Sequence, residues 1–231
     1  MRTLAAGVEP VWEVTLQKRL QQGESRFSMS VCFKSLSKRL VLYGPSGSGK
    51  TQTLRMIAGI SPPDGGRVNV AGRLLFDAEL GVSLSPQARQ LGYMFQDDAL
   101  FPHLTVCQNI GFALQGGPRN PARNARDPRV ESWIERFALQ SVAHHFPHQI
   151  SGGQRQRTAL ARALVREPTA LLLDEPFAAL DKRLRQKLRE ELLALQQQFA
   201  LPLLLITHDD EDVNSLAEEV VTLEAGQVVS T

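Results

Sequence analysis

The sequence has few cysteines and no long apolar run, and each of these shortages excludes a class of protein. The 231 residues include only two cysteines, Cys32 and Cys107, far apart and without neighbours at metal-ligand spacing. We interpret both as reduced, structural thiols of a cytosolic protein. No run approaches the roughly 18 apolar residues of a membrane-spanning helix. The first residues also lack the apolar core of a signal peptide. If the protein serves a membrane, we expect it to act through a partner.

The charge of the chain is almost balanced. Its 26 Lys and Arg against 24 Asp and Glu leave a formal net charge of +2, which gives no electrostatic reason to expect nucleic acid as the main partner. Basic residues do cluster at 118–129 and 181–189. We interpret the first segment as a solvated loop and the second, where leucines alternate with charges, as the solvent-exposed face of a helix.

The stretch GPSGSGKT at 44–51 lies between an apolar run, RLVLY, and a helical pattern, QTLRMIAGI. Glycines let the backbone approach a polyphosphate closely, and the N–H groups at a helix start attract its charge. Lys50 can reach the β- and γ-phosphates, and the Thr51 hydroxyl can bind Mg²⁺. The predicted nucleotide contacts are therefore Gly44, Pro45, Ser46, Gly47, Ser48, Gly49, Lys50 and Thr51.

Short apolar strands alternate with helical patterns along the chain. The segment 25–33 has the two-residue alternation of a half-buried strand, and ALLLDE at 170–175 and PLLLITHD at 202–209 indicate buried parallel strands. Leucines at helical spacing follow at 181–199, and 97–166 is helical and more polar. This order predicts an α/β fold with a mostly parallel sheet.

Acidic residues and a histidine end two of these strands. Asp174 and Glu175 follow LLL, at the edge where open α/β sheets bind phosphates. Asp174 is suited to hold Mg²⁺, and Glu175 is suited to polarise an attacking water. His208 ends the next strand, so we expect it at the same edge. The acids at 209–212 allow a metal site, but we favour the first turn of a helix.

The segment ISGGQRQR at 150–157 predicts a second anion-binding helix start. One nucleotide does not need two such starts. A head-to-tail dimer does, if each copy caps the γ-phosphate of the other. Three histidines just before this segment mimic a metal cluster, but we favour a solvated loop, because no second ligand group lies nearby: His144, His145 and His148.

Together these segments resemble the nucleotide-binding subunit of ATP-binding cassette (ABC) transporters over essentially the whole chain. GPSGSGKT matches the phosphate loop, Gln96 the glutamine loop, SGGQ the signature, LLLDEP the Walker B strand, FAALD the D-loop and THD the switch histidine. The resemblance implies an ATPase with a RecA-like core, an antiparallel β subdomain and an α-helical subdomain at about 97–166, all within one domain, 1–231.

The resemblance also implies residue roles. Gln96 would couple Mg²⁺ and the attacking water to movement of the partner, and His208 would hold the γ-phosphate and the water. Ser151 and Gly153 would contact ATP held by a second copy. The implied catalytic residues are Glu175, His208 and Gln96; the Mg²⁺ ligands are Thr51, Gln96 and Asp174; the dimer contacts to ATP are Ser151, Gly152, Gly153, Gln154 and Asp181.

The partners implied are a second copy and a membrane permease, whose cytoplasmic helix would enter a groove of the helical subdomain. The subunit would lie at the cytoplasmic face of the membrane and serve a substrate-binding protein indirectly. The family often has an aromatic residue before the phosphate loop that stacks on adenine. Here Leu16 or Leu20 stands there, with Trp12 and Phe27 nearby, and none is assigned.

Within the family, 72–114 resembles molybdate importers most closely, through LFDAELGVSLSP and YMFQDDALFPH. The C-terminal oxyanion-binding domain of many such importers is expected to be absent. Sulfate, thiamine and ferric-ion importers remain alternatives. An exporter also remains, although HHFPHQI, directly before SGGQ, lacks the acidic residues common there in exporters. A soluble ABC ATPase is disfavoured without a second cassette or long coiled coil. A module that does not hydrolyse ATP is disfavoured by intact Glu175 and His208.

Overall fold

A computed structural model describes residues 9–22, 25–115, 120–122, 127–178 and 180–230. The strands in these ranges form a single mixed sheet of 11 strands. They are β1 (Trp12–Gln22), β2 (Ser25–Ser35), β3 (Arg39–Tyr43), β4 (Gly65–Val70), β5 (Arg73–Asp77), β6 (Val82–Ser83), β7 (Leu91–Met94), β8 (Ala170–Asp174), β9 (Leu203–Ile206), β10 (Glu219–Glu224) and β11 (Gln227–Ser230). Their order across the sheet is β6-β5-β4-β1-β2-β11-β10-β3-β9-β8-β7.

Helices connect the parallel strands and fill the segment between β7 and β8. They are α1 (Lys50–Ala58), α2 (Pro86–Arg89), α3 (Val106–Phe112), α4 (Pro128–Arg136), α5 (Gly152–Leu164), α6 (Lys182–Phe199) and α7 (Asp210–Leu216). Short 3-10 turns lie at Gln140–Val142 and Pro147–Gln149. Both α3 and α5 begin at a capping box, from Thr105 and Ser151, which fixes where each helix starts. None of the helices in the described ranges is long and apolar enough to cross a membrane.

The strands β3, β9, β8 and β7 run parallel, as the apolar runs predicted. Leu42 is in register with Ile206, which is in register with Asp174. Every residue of β8 and β9 is buried, which explains why both read as continuous apolar runs. The loops that follow these strands therefore leave the sheet at one level.

The other half of the sheet is mainly antiparallel. β1 pairs with β2 and β4, and β4 pairs with β5. Met29, Val31 and Phe33 are buried on one face of β2, which confirms the alternation predicted for this segment. The pairs β4–β5 and β10–β11 are antiparallel hairpins.

Alternate residues of the buried strands pack on opposite faces of the sheet. Leu171 and Leu173 belong to an apolar cluster with Trp133, whereas Leu172 belongs to a second cluster with Trp12. The first cluster joins α3, α4 and α5 to the parallel strands, and the second joins α1 to β1, β2 and β4. The helical segment thus shares a continuous apolar cluster with the strands that carry the site.

The interpretation of 181–189 as a solvent-exposed face is wrong at Arg189. Its side chain is only 9% exposed and forms an ion pair with Asp212, 2.5 Å away, at the start of α7. Lys182 and Lys187 are exposed as expected. The acids at 209–212 do form the first turn of a helix, with Asp209 as its N-cap. Half of the predicted loop at 118–129 lies outside the described residues, and the prediction is wrong at Pro128 and Arg129, which begin α4.

The two cysteines differ in solvent exposure, whereas the three histidines before the SGGQ segment are all exposed. Both thiols are free, and Cys32 is exposed rather than packed in the core. Cys107 is half-buried, and burial, aided by the charge of Glu131, raises its pKa. Within the described ranges no His, Cys, Asp and Glu side chains gather into a metal-binding group of three. The histidines of the predicted solvated loop are exposed: His144, His145 and His148.

A buried arginine fixes the end of α1. Arg89 is 1% exposed, and its Nη1 donates to the carbonyls of Met56 at 2.8 Å and Ile57 at 2.7 Å. Its Nε donates to the Leu84 carbonyl at 3.0 Å. Burial lowers the pKa of Arg89. A guanidinium beside the final carbonyls of α1 also complements the negative end of the helix dipole.

We expect Arg89→Met to lower the free energy of unfolding by about 3 kcal/mol, because buried carbonyls lose their donors. Urea denaturation followed by circular dichroism measures the loss. The matched control is Arg129→Met, an exposed arginine paired with Asp127, which should barely move the midpoint. Equal midpoint shifts in the two variants would contradict the role given to Arg89.

Candidate functional site

A cleft of about 460 Å³ lies where β3, β8 and β9 end. It brings together residues from the loop at 44–49, the first turn of α1 and the loops after β7, β8 and β9. The predicted residues that line it are Ser46, Gly47, Gly49, Lys50, Thr51, Gln96, Glu175 and His208. The predicted catalytic residues therefore share one cavity with much of the predicted phosphate loop.

The loop at 44–49 needs glycine for its path. Gly44 has φ +148°, and a Cβ built there would lie 2.1 Å from the Leu223 carbonyl oxygen. Lys50 is 5% exposed, and its Nζ donates to the carbonyls of Gly44 at 2.7 Å and Pro45 at 2.8 Å. Burial lowers the pKa of Lys50, against the opposing charges of Glu175 and Asp174.

The hydroxyl of Thr51, which lines the cleft, meets the buried carboxylate of Asp174, which is not among the lining residues. Thr51 Oγ1 donates to Asp174 Oδ1 at 3.0 Å, and the Tyr93 hydroxyl donates to Asp174 Oδ2 at 3.4 Å. Burial raises the pKa of Asp174, while the Thr51 hydrogen bond opposes that shift. Hydroxyl and carboxylate oxygens are hard donors of the kind that Mg²⁺ prefers. The pair therefore fits a Mg²⁺ site completed by phosphate and water.

Glu175 contacts two other predicted catalytic residues. Its Oε2 accepts from Gln96 Nε2 at 3.1 Å, and its Oε1 lies 3.3 Å from His208 Nδ1. Its backbone N–H donates to the Ile206 carbonyl at 3.0 Å, and its φ is +48°. Left-handed backbone at a non-glycine residue costs roughly 1–2 kcal/mol. Such strain is concentrated at functional sites.

The SGGQ segment does not line this cleft. Ser151 caps α5: its Oγ accepts from the Gln154 N–H at 3.3 Å, and Gln154 Oε1 accepts from the Ser151 N–H at 2.9 Å. Gly152 and Gly153 form the first turn of the helix. The sequence predicted this helix start, but not that Ser151 and Gln154 bind each other.

Asp181 lies beside the SGGQ segment rather than in the cleft. It caps α6 by accepting from the Arg183 and Leu184 N–H groups at 3.1 and 3.0 Å. A Cβ added at Gly153 would lie 2.7 Å from Leu184 Cδ2. The starts of α5 and α6 are therefore in direct contact, and they form a surface separate from the cleft.

Of the four residues considered for contact with adenine, only two line the cleft. Trp12 and Leu16 are fully buried, and the Trp12 indole N–H donates to the Ser37 carbonyl at 3.1 Å. Neither can stack on a ligand in the cleft. Leu20 and Phe27 do line the cleft, so they are the remaining candidates.

Sequence reasoning missed Arg55 and Tyr93. Arg55 lines the cleft, and its positive charge acts on Asp174. It stands four residues after Thr51 on α1, so helical spacing was an available signal. Tyr93 hydrogen-bonds Asp174 from the neighbouring strand, β7. Only the pairing of β7 with β8 brings these two together, and the sequence does not show that pairing.

A second cavity, of about 480 Å³, lies between the helical segment and the edge strand β7. Arg162 stands in its wall and donates to the carbonyls of Asp98 at 2.7 Å and Ala99 at 2.8 Å. The guanidinium lies 5.7 Å from the ring centre of Phe101. This groove therefore combines an aromatic surface with the Arg162 guanidinium, which is hydrogen-bonded to the backbone at 98–99. The groove includes Phe95, so it adjoins the loop that carries Gln96.

Comparison with known proteins gives relatives over most of the chain. A family model described as ABC transporter matches residues 28–178. The Fe(3+) ions import ATP-binding protein FbpC of Pseudomonas fluorescens is 45% identical over 83% of this chain and 52% of its own length. The molybdenum import ATP-binding protein ModC of Rhodospirillum rubrum is 38% identical over 91% of this chain and 55% of its own length. The chain thus spans about half the length of these curated relatives.

Two further similarities extend these findings. The probable sulfate/thiosulfate import ATP-binding protein CysA of Chlorella vulgaris is 43% identical over 81% of this chain and 76% of its own length. A solved dimeric ATP-binding cassette in a post-hydrolysis state, bound to ADP and Pi, is 28% identical, with a TM-score of 0.78. The match covers 95% of this chain and 96% of that one, which confirms the predicted fold class.

Gly44 and Gly47 give a matched pair of substitutions. Gly47 has φ +79° but nothing within 4 Å of an added Cβ, so Gly47→Ala should cost about 1–2 kcal/mol of stability from backbone strain. Gly44→Ala should cost about 3 kcal/mol, because the Leu223 carbonyl must also move. Thermal unfolding of both variants measures the difference. Equal losses would show that the approach of Leu223 does not constrain the loop.

Proposed function

The chain belongs to the ABC transporter family, and on that basis we propose that it binds ATP with Mg²⁺ and hydrolyses it to drive a membrane importer. The observation that carries the proposal is the position of Glu175, which contacts Gln96 and His208 in the same cleft as Lys50 and Thr51. A carboxylate held beside a phosphate-binding loop is suited to activate water for attack on phosphorus.

We assign the phosphates of ATP to the loop at 44–51. Its backbone N–H groups and the N-terminus of α1 face the triphosphate. Lys50 exchanges its bonds to the Gly44 and Pro45 carbonyls for phosphate oxygens. Thr51 and Asp174 would hold Mg²⁺, with the Gln96 amide oxygen as a further ligand, and the ion would supply charge that offsets that of the phosphates. Leu20 and Phe27 contact the adenine.

Hydrolysis then requires a water between Glu175 and the γ-phosphorus. Glu175 accepts a proton from this water as its oxygen bonds to phosphorus, and the bond to the β-phosphate oxygen breaks. The products are ADP and phosphate. His208 and Gln96, each within 3.3 Å of the Glu175 carboxylate, hold the water and the γ-phosphate in line. Positioning of this kind supplies most of the catalysis in phosphoryl transfer.

We assign the surface formed by the SGGQ segment and Asp181 to a second copy of the chain. In a head-to-tail pair, the start of α5 in one copy would meet the γ-phosphate in the cleft of the other. The solved cassette that matches this chain is dimeric, which supports this arrangement. The site of each copy is then complete only when its partner supplies Ser151, Gly152, Gly153 and Gln154.

We assign the groove beside Arg162 to a cytoplasmic helix of a permease. Residues 97–166 would be the helical subdomain of a single cassette, 1–231. Its relatives are import ATP-binding proteins, which supports our proposal that the subunit acts at the cytoplasmic membrane face, with a substrate-binding protein as indirect partner. Nucleic acid is not proposed as a partner, because the net charge is only +2.

For the cargo we propose molybdate or a related oxyanion, on the resemblance of 72–114 to molybdate importers. The ModC relative covers 91% of this chain, more than the FbpC relative covers. Ferric ion is the second candidate, because the FbpC relative is the more identical of the two, at 45% against 38%.

We expect Glu175→Gln to reduce kcat for ATP hydrolysis at least about 100-fold. The dissociation constant for ATP should change little, because the loop at 44–51 is untouched. ATP should then hold the variant as a dimer, measurable by light scattering with gel filtration. Wild-type turnover in this variant would remove Glu175 from the reaction.

The cargo is tested by uptake of labelled molybdate, sulfate and ferric ion in cells that lack the gene. We expect selective loss of molybdate uptake, restored by the native gene and not by Glu175→Gln. Loss of ferric-ion uptake alone would overturn the molybdate proposal and leave ATP-driven import intact. If every uptake rate is unchanged, the molybdate and ferric-ion proposals both fall, the ATPase assignment stands, and an importer of another cargo or an exporter takes their place.

A further inference from the structure

Two arginines on one face of α6 hold the loop that carries His208. Asp181, Arg185 and Arg189 are spaced four residues apart, so they lie along one side of the helix. That side faces the residues between β9 and α7. The contacts reach both chain neighbours of His208, while the His208 side chain is 60% exposed.

Arg185 contacts the loop on its C-terminal side. Its Nη1 donates to Asp209 Oδ2, and its Nη2 donates to the Leu180 carbonyl at 3.4 Å. Asp209 is itself fixed, since its Oδ1 accepts from the Glu211 N–H at 2.8 Å. One guanidinium therefore joins the residue before Asp181 to the residue after His208.

Arg189 contacts the loop through a buried carboxylate. Its Nε donates to Asp212 Oδ1 at 2.5 Å, and Asp212 Oδ2 accepts from Thr207 Oγ1 at 2.7 Å. The Asp209 N–H donates back to Thr207 Oγ1 at 3.1 Å. The residues before and after His208 are thus tied to the same pair of arginines.

The energetics indicate that this network fixes geometry. The side chains of Arg189 and Asp212 are 9% and 5% exposed, so both charges have lost most of their hydration. A buried ion pair of this kind contributes little net stability, because desolvation offsets the attraction between the charges. An apolar pair of similar volume would stabilise the fold equally well. An apolar pair would, however, offer no acceptor to the Thr207 hydroxyl, which donates to Asp212.

We propose that Arg185 and Arg189 are positioning residues that hold His208 in reach of Glu175 and couple its loop to the segment before Asp181. The inference rests on the proposed ATP hydrolysis and names two residues for it beyond those that touch ATP. Because we assign the Asp181 surface to the second copy, docking of that copy would act on His208 through Arg185.

The test uses Arg185→Met, because Arg189→Met would leave Asp212 buried without its ion pair and endanger folding. We expect kcat to fall roughly 10- to 100-fold, as for a misplaced catalytic group, with the dissociation constant for ATP unchanged. Arg185→Lys keeps the charge but not the two-sided contact, so it should restore only part of the rate.

The matched control is Glu191→Gln, which removes a different ion pair of α6, with Arg157 at 3.1 Å. It should lower thermal stability about as much as Arg185→Met but leave kcat unchanged.

A second test uses Asp209→Asn, which retains the cap on α7 and loses the charge that Arg185 meets. The double variant with Arg185→Met should be little slower than the slower single variant, because both substitutions remove the same Arg185–Asp209 ion pair.

Amide hydrogen exchange of the ATP-free protein separates this inference from the proposed function. In Arg185→Met, residues 207–210 should exchange faster than in the wild type, and the loop at 44–51 should not. If the wild-type protein hydrolyses no ATP, the proposed function is wrong. Amide exchange at 207–210 still tests whether Arg185 holds the loop that carries His208. Wild-type kcat in Arg185→Met, or unchanged exchange at 207–210, overturns the positioning role.

Discussion

The site depends on the register of three buried parallel strands. Because Leu42, Ile206 and Asp174 are aligned across β3, β9 and β8, the phosphate loop, His208 and Glu175 all leave the sheet at the same level. The apolar clusters on both faces hold that register, since a shift of one residue would move Leu171 and Leu173 to the face that Leu172 occupies, and both clusters would have to repack. The chemistry of the cleft is therefore secured by packing that never touches a ligand.

Much of this arrangement could be predicted from local patterns. An apolar run at 40–42 followed by a glycine-rich loop indicates a buried strand and an anion-binding turn. Apolar runs also precede Asp174 and His208, and parallel strands end at one edge of a sheet. The sequence therefore predicts that Asp174, Glu175 and His208 lie at the same edge. Gln96 lies in no such pattern. Its place beside Glu175 was expected only from the family resemblance.

The charged residues inside the fold could not be predicted. Arg89 has no acidic partner near it in sequence, and its carbonyl acceptors at Met56 and Ile57 are more than 30 residues away. Arg189 lies on α6 among cations that are more exposed, and it is buried because it meets three acids at the start of α7, Asp209, Glu211 and Asp212. A sequence shows that a side chain is charged, but burial is decided by elements that meet across the fold. The choice of Leu20 and Phe27 over Trp12 followed from burial for the same reason.

The two thiols differ enough for selective chemical labelling. Cys32 is exposed on β2, and Cys107 is half-buried with a raised pKa, so less of it is thiolate at neutral pH. A maleimide dye added at neutral pH should therefore react first with Cys32. Phe27, on the same strand, lines the cleft about 17 Å away at the usual rise per residue. The unmutated chain thus offers a fluorescent reporter near the cleft that leaves its lining residues unmodified.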